Sequence, residues 1–182
     1  MSLPRTMAAV LLTGHGGLEE LEYRTDVPVP RPREGEVLIQ VAAAAVNNTD
    51  VNTRIGWYSK AITAGTGAGG AAGFDAVEDV DATWSGTALE FPRIQGADVC
   101  GRIVDVGEGV SRDRIGERVL VFEDLIDYVE RGEVRPVVAR TYPLAEIACA
   151  QEDFLAKQHS GKLVLIPPDP AARPGTARPP VR

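Results

Sequence analysis

The stretch EVLIQVAAAAVNNTD, residues 36–50, decides the fold of this chain. Its first eleven residues are mostly Val, Leu, Ile and Ala and follow a turn-forming Gly35, which is the pattern of a half-buried strand. The side chains of Asn47, Asn48 and Asp50 come directly after that strand. An Asp in this setting can satisfy backbone N–H groups at a turn, and beyond it the sequence predicts irregular structure.

The rest of the chain favours a mainly β fold. Of its 182 residues 44% are hydrophobic but only 5% aromatic, and 19 Gly and 13 Pro leave little room for long helices. Further strands are predicted at 7–13, 99–110, 115–122, 134–139 and 162–167. Short strands linked by irregular loops predict a small barrel or a partly open sheet.

The remaining segments are predicted to be helices, connectors and loops. Helical spacing of apolar residues predicts one helix over 122–132 and a second from Leu144 to Leu155, which is ended by Gly161. The proline-rich segment 27–36 is predicted to be a connector or an edge strand rather than a central strand. Residues 63–73, TAGTGAGGAAG, are expected to form a mobile surface loop because they contain no side chain large enough to anchor it.

Composition excludes several classes of function. The net charge of -7, from 19 basic and 26 acidic residues, repels nucleic acid and anionic membranes. No apolar run is long enough to span a bilayer or to serve as a secretory signal. Two cysteines suit a reducing cytosol. We therefore expect a cytoplasmic protein with no nucleic acid and no membrane among its partners.

Several residues of types that often bind phosphates or metals are interpreted as structural. Residues 65–70, GTGAGG, match G-x-G-x-x-G formally, but no strand is predicted before them and no helix after them. Cys100 and Cys149 lie in apolar patterns and are expected to be buried. His15, in the turn GHGG, and His159 are expected to be solvated turn residues rather than ligands.

Several motifs resemble those of the medium-chain dehydrogenase/reductase superfamily, which includes alcohol dehydrogenases and zinc-independent quinone reductases. They are PRPREGEVL at 30–38, VNNTD at 46–50, FPRIQGADVCGRIV at 91–104, GERV at 116–119, and YPL at 142–144 with GKLVL at 161–165. Each motif is weak alone, but together they stand in the order found in that superfamily. The resemblance covers about residues 7–166.

The resemblance implies a mainly β fold with α, in which a GroES-like, partly open barrel is joined by two C-terminal helices. It divides the chain into a GroES-like part at 1–121, a remnant helix at 122–133, a C-terminal return at 134–166 and a disordered Pro/Arg tail at 167–182. In full-length relatives a Rossmann domain is inserted before the return. Here GERVLV runs directly into FEDL, so we expect no complete Rossmann domain, either through natural deletion or as an artefact of gene annotation.

The resemblance also implies the chemistry of the site. In zinc-dependent relatives a Cys stands at the position of Asn47 and a His-Glu pair at those of Ala97 and Asp98. Amide and methyl groups cannot replace zinc ligands, so no metal is expected. In zinc-independent relatives an Asn at the Asn47 position faces the nicotinamide and can orient a carbonyl or quinone oxygen.

These roles give a set of candidate site residues. Asn47 and Asp50 are candidate catalytic residues, and Asn48 and Tyr58 are candidate substrate-binding residues. Asp50 has the alternative of a turn-forming role, and Tyr58, beside Trp57, that of a plug over the core.

The implied function is that of a truncated oxidoreductase domain. Its ancestral reaction is hydride transfer between NADP(H) or NAD(H) and a carbonyl, enone or quinone. No cofactor is expected on the isolated chain, which is predicted to be inactive. The alternative is a non-catalytic binding or self-association module that uses the exposed barrel face as a homo-oligomer. A third possibility is an enzyme reconstituted with a separate nucleotide-binding chain.

Overall fold

The computed structural model describes residues 3–74, 88–96, 98–120 and 137–169. The strands in this part are β1 (Thr6–Leu12), β2 (Leu21–Pro28), β3 (Val37–Ala45), β4 (Val99–Val106), β5 (Arg118–Leu120), β6 (Val138–Pro143) and β7 (Lys162–Ile166). The α-helices are α1 (Asn48–Arg54), α2 (Thr66–Gly69) and α3 (Ile147–Ala156), and single 3-10 turns lie at Leu18–Glu20, Arg112–Arg114 and Leu144–Glu146. The predicted helix at 122–132 and the tail from 170 onward lie outside the described residues.

The described strands form two sheets. β1 and β2 pair antiparallel, and the larger sheet has the order β5-β4-β3-β7-β6. In the larger sheet, β6 and β7 run parallel and the other described pairs are antiparallel. Parallel neighbours need a crossover connection, which α3 provides. The predicted mainly β fold is confirmed, with α3 as the second of the two expected C-terminal helices.

Strands β3 and β4 approach closely at Gly101. A Cβ atom built on Gly101 would lie 2.3 Å from the Gln40 carbonyl oxygen, so only glycine fits this position. Side chains alternate along β4: Gly101 and Ile103 are buried, whereas Cys100 and Arg102 are exposed. The expected burial of Cys100 is therefore wrong, because strand alternation turns this thiol outward.

The main core packs α1 and α3 against β6 and β7. Ile147, Ala150 and Gln151 are buried at helical spacing on the inner face of α3. Cys149 lies on the outer face and is exposed, which also corrects its expected burial. The core cluster consists of Val46, Val51, Ile55, Tyr142, Ile147, Ala150, Leu163 and Leu165.

Some elements differ from the predictions. β2 and α1 were not predicted, because β2 runs into the prolines of 27–36 and α1 begins with residues that favour turns. The strand expected at 134–139 is observed at Val138–Pro143, and 134–136 lie outside the described residues. α3 ends at Ala156, followed by the C-cap Lys157 in the left-handed conformation with φ 53°, rather than continuing to Gly161. In the part of the chain that the structure describes, no helix is long and apolar enough to cross a bilayer.

Arg54, the last residue of α1, is completely buried. Its guanidinium donates to Gln151 Oε1 and the Gly16 carbonyl at 2.8 Å each, and to the carbonyls of Ala71 and Gly70 at 3.2 and 3.3 Å. Burial lowers the pKa of Arg54. A guanidinium nevertheless remains charged in proteins, and these oxygens supply its acceptors. One side chain thus connects α1 and α3 with two loops.

Residues 63–73 lie mostly at the surface, as expected, but they are anchored, which corrects the expectation that no side chain or contact holds them. α2 lies within this segment, and its Gly69 is buried against two side chains. A Cβ at Gly69 would lie 2.7 Å from the Phe74 ring and 3.0 Å from Ile55 Cδ1. The next two carbonyls accept from Arg54. The loop is therefore held through its backbone, which its small side chains do not reveal.

We predict that Arg54→Met lowers the free energy of unfolding by about 3 kcal/mol, because the buried Gln151 oxygen and three part-buried carbonyls lose their donor. Urea denaturation followed by circular dichroism measures this change. The matched control is Arg24→Met, since Arg24 is an exposed arginine paired with Asp26 at 2.7 Å. The control should unfold like the wild type. A loss in Arg54→Met no larger than that in the control would contradict the anchoring role.

Candidate functional site

The candidate site begins where β3 passes into α1. Asn47 is extended, with φ -123° and ψ 165°, and α1 starts at the next residue. The Asp50 carboxylate reaches back and accepts a hydrogen bond from the Asn47 backbone N–H at 2.8 Å. This contact satisfies a donor that the helix leaves unpaired at its first turn. It is the turn-forming alternative that the sequence left open for Asp50.

Lys162 places a positive charge beside Asn47. Its ammonium donates to Asn47 Oδ1 at 2.7 Å and to Asp98 Oδ2 at 2.9 Å. Because β3 pairs with β7, with Ala45 opposite Val164, the end of β3 before Asn47 lies beside the start of β7 at Lys162. An ammonium group has only donors, so the amide oxygen of Asn47 must face Lys162. The amide nitrogen, with its two N–H donors, remains for other partners.

A second lysine holds the next amide in the same way. Lys157 Nζ donates to Asn48 Oδ1 at 3.2 Å and lies 3.5 Å from the centroid of the Phe154 ring. Burial lowers the pKa of Lys157. The aromatic face compensates the charge in part through a cation–π contact. The amide oxygens of Asn47 and Asn48 therefore both accept from lysines of the C-terminal segment.

Asp50 is the buried acid of the site, with 9% of its surface exposed. Burial raises the pKa of Asp50, and the nearby Asp98 carboxylate raises it further. The Asn47 N–H and the Lys162 ammonium oppose that rise. Gln95 Nε2 donates to the Asp50 backbone carbonyl at 3.1 Å. The ion pair of Lys162 with Asp98 therefore influences how readily Asp50 holds a proton.

The structure brings together three of the four predicted site residues. Asn47, Asn48 and Asp50 share the start of α1, whereas Tyr58 comes four residues after its end. The Tyr58 ring packs edge to face on Trp57 with centroids 5.5 Å apart. The role of Tyr58 in substrate binding stays a prediction.

Sequence reasoning missed the two lysines and gave Asp98 no part in the site. Lys162 stands in the GKLVL motif, which carries the signal, but its partners lie 64 and 115 residues away in the chain. Lys157 carries no motif signal. The pairing of β3 with β7 shows what Lys162 meets, and the end of α3 shows what Lys157 meets.

Zinc binding finds no support in the described ranges, where no three His, Cys, Asp or Glu side chains group around a metal position. Ala97 lies outside those ranges. The Asn47 amide oxygen already accepts from the Lys162 ammonium, which would repel a metal cation at that atom. Zinc independence stays a prediction.

His15 and the glycine-rich segment have structural surroundings. His15 Nδ1 lies 2.7 Å from the Thr53 carbonyl oxygen, and its ring packs edge to face on Phe91 at 5.0 Å. His15 is therefore half-buried and packed rather than a solvated turn residue. In residues 65–70, α2 spans four residues and follows a turn, which differs from the strand-fed helix that a dinucleotide fingerprint requires.

Comparison with known proteins places these features in a family. The family of alcohol dehydrogenase GroES-like domains matches residues 33–160. A mitochondrial NAD(P)H oxidoreductase of Dictyostelium discoideum is 31% identical over 114 residues, which are 62% of this chain and 26% of that protein. The quinone oxidoreductase of Rattus norvegicus is 31% identical over 145 residues, which are 78% of this chain and 35% of that protein.

A solved structure agrees with the fold. The crystal structure of a candidate alcohol dehydrogenase from Sinorhizobium meliloti 1021 has a TM-score of 0.72 at 23% identity, and the match covers 91% of this chain and 98% of that chain. The chain spans about a quarter to a third of the two curated relatives. One of these relatives is named as mitochondrial, so a cytoplasmic location stays a prediction.

We predict that the pKa of Asp50 lies above the ordinary value of about 3.9 and responds to its neighbours. Asp98→Asn should lower it, because a repelling charge is removed. Lys162→Met should raise it, because an attracting charge is removed. Titration of the Asp50 carboxyl carbon by NMR measures both changes, with Asp26→Asn on β2 as the neutral control.

The same raised pKa has a consequence for stability. The folded protein binds the Asp50 proton more tightly than the unfolded chain does. The resulting contribution to the free energy of unfolding is complete below the unfolded pKa of Asp50 and is lost as pH rises through its folded pKa. Asp50→Asn should therefore gain stability relative to wild type as pH rises through that window. A relative loss over the same window, or an Asp50 pKa below the ordinary value, would show that burial does not dominate.

Proposed function

The chain belongs to the family of alcohol dehydrogenase GroES-like domains, and from this premise we propose that it forms the substrate-binding half of an oxidoreductase site. In this proposal the Asn47 amide orients the oxygen of a carbonyl, enone or quinone. The ancestral reaction is hydride transfer between NADP(H) or NAD(H) and that substrate. The isolated chain binds the nicotinamide cofactor too weakly to turn over.

The orientation of the Asn47 amide carries this proposal. Its oxygen accepts from Lys162 at 2.7 Å, so its two N–H donors are left for a ligand. Carbonyl and quinone oxygens are acceptors, and they match those donors. A neutral amide can polarise a carbonyl while the charge of the site stays constant. The salt-bridged Lys162 fixes the amide before the ligand arrives, which lowers the cost of ordering it.

The other candidate residues receive supporting roles. We assign Asp50 to positioning, because its carboxylate holds the Asn47 backbone N–H at 2.8 Å. Asn48 is the second substrate-binding amide, since Lys157 orients it in the same sense. Tyr58 keeps its proposed place at the substrate opening, half-buried beside Trp57.

The described residues do not fit a complete nicotinamide dinucleotide. Affinity for such a cofactor comes largely from its pyrophosphate on a helix fed by a strand. The G-x-G-x-x-G match at 65–70 lacks that setting. Between β5 and β6 only residues 121–137 are available, far fewer than a nucleotide domain needs. In this proposal, a nucleotide-binding domain outside these residues, such as one on a separate chain, completes the enzyme.

A second candidate function is self-association. Val137 and Val138, at the start of the edge strand β6, are 63% and 51% exposed, and Ile166 at the end of the neighbouring β7 is 41% exposed. β6 pairs with β7 on one side and is the last strand in the described sheet order. Apolar side chains on a sheet edge favour pairing with another chain. This observation supports a homo-oligomer, with or without redox chemistry.

We predict that the 182-residue chain shows no saturable NADPH or NADH binding below about 1 mM, because micromolar affinity needs about 8 kcal/mol and the phosphate contacts are missing. Nicotinamide fluorescence and calorimetry measure this directly. The Dictyostelium discoideum NAD(P)H oxidoreductase serves as the positive control. A one-to-one micromolar complex would refute the proposed loss of cofactor binding.

We also predict that sedimentation velocity detects a dimer or a larger species, because the β6 edge is apolar. Val138→Lys should shift the protein towards monomer, since a charged edge opposes strand pairing. Ile115→Lys is the matched control, because Ile115 is 38% exposed near β5 at the opposite edge of the sheet. A wild-type monomer at high concentration, or equal effects of the two substitutions, would count against the β6 edge.

A further inference from the structure

A cavity of about 680 Å³ lies between the two-stranded sheet and the larger sheet. This volume lies within the range of small-molecule binding sites in proteins. Its wall is mostly apolar and includes small side chains that leave the space unfilled. Representative wall residues are Ala9, Val10, Ala44, Val104 and Leu165.

Part of the apolar cavity wall is exposed to solvent. Leu3, Val41 and Ile94 line the cavity and remain 39%, 38% and 50% exposed. Large apolar side chains are usually exposed singly, whereas here three line one cavity. An apolar molecule can therefore reach this wall from water.

The electrostatics of the wall select against anions. Asp50, Asp98 and Asp169 line the cavity, and the lining residues that the structure describes include no Lys and no Arg. The Asp98 partner, Lys162, donates to it from outside the lining at 2.9 Å. An organic anion would therefore lose its hydration beside carboxylates and gain no cation in return.

Hydrogen bonding adds one further contact. Gln95 and Gln151 line the cavity; Gln95 Nε2 donates to the Asp50 carbonyl, and Gln151 Oε1 accepts from Arg54. Gln95 Oε1 is buried and has no hydrogen-bond partner among the described residues, so it can accept from a ligand N–H or O–H. Recognition therefore depends on apolar contact, on the absence of negative charge and on at most one donor.

We propose that this cavity is a binding site for a neutral, apolar small molecule such as an aromatic or long-chain aliphatic compound. The site adjoins the Asn47 cluster through Asp50 and Asp98, but its occupation requires no cofactor and no redox step. The proposal therefore stands or falls independently of the proposed oxidoreductase function.

The experiment uses two fluorescent probes that share one aromatic skeleton. N-phenyl-1-naphthylamine is neutral, and 8-anilino-1-naphthalenesulfonate adds a sulfonate. Titration of the full chain should give saturable one-to-one binding of the neutral probe, tighter than that of the sulfonate by about tenfold or more, since tenfold corresponds to about 1.4 kcal/mol. Equal or tighter binding of the sulfonate would overturn the charge argument, and no binding of the neutral probe would overturn the site.

A matched pair of substitutions on β3 locates the probe. Ala44 lines the cavity and pairs with Leu165 in the β3–β7 ladder, so both side chains share one face. Ala44→Leu should weaken binding of the neutral probe by about tenfold or more, because it fills part of the space. Ala42→Leu is the control, since Ala42 is exposed and lies outside the lining. Equal binding by both variants would place the probe elsewhere and refute the proposal.

A competition on the unsubstituted protein keeps the test valid if Ala44→Leu fails to fold. 1-Decanol should displace the neutral probe, whereas decanoate at the same concentration should not. The proposal would be refuted if decanoate displaced the probe as strongly as 1-decanol did, or if neither compound displaced it. Loss of probe binding on self-association would assign the cavity to a second copy of the chain and would overturn the small-molecule site.

Discussion

The buried guanidinium of Arg54 is the contact on which the arrangement of the helices and loops depends. A charge inside a protein is tolerated only when its donors find acceptors, and four oxygens meet this one. They come from α3 and from loops before and after α1, so the end of α1 is fixed in relation to all three. The other end of α1 carries Asn47 and Asp50. The contacts of Arg54 at one end of this seven-residue helix thus help to fix the position of the candidate site at its other end.

The sequence predicted those features that depend on local pattern. β3, β4, α3 and β7 have apolar periodicity over several residues, and their positions follow from it. The position of Asn47 after β3 follows from the same periodicity. Features that depend on partners distant in the chain were missed. The segment 63–73 contains only small side chains, and nothing within it shows that Arg54 holds its carbonyls.

The same limit applies to the candidate site and to the cysteines. Asn47, Asn48 and Asp50 could be selected because VNNTD resembles a family motif, whereas Lys157 and Lys162 could not, since they contact Asn48 and Asn47 from 109 and 115 residues away in the chain. Cys100 and Cys149 lie among apolar residues along the chain but face outward. The phase of a strand or helix, rather than the number of apolar residues in it, decides which side chains it buries.

Pairing of β3 with β7 also constrains how the chain folds during its synthesis. Ala44 and Leu165 are neighbours in the sheet, but a ribosome adding about 5–20 residues per second makes the segment between them in on the order of ten seconds. Throughout that interval one edge of β3 and the apolar side of α1 wait for their C-terminal partners. Contacts of such high sequence separation also slow folding after release, because loop closure precedes the gain from pairing. The nascent chain therefore exposes a β edge for aggregation or for capture by a chaperone.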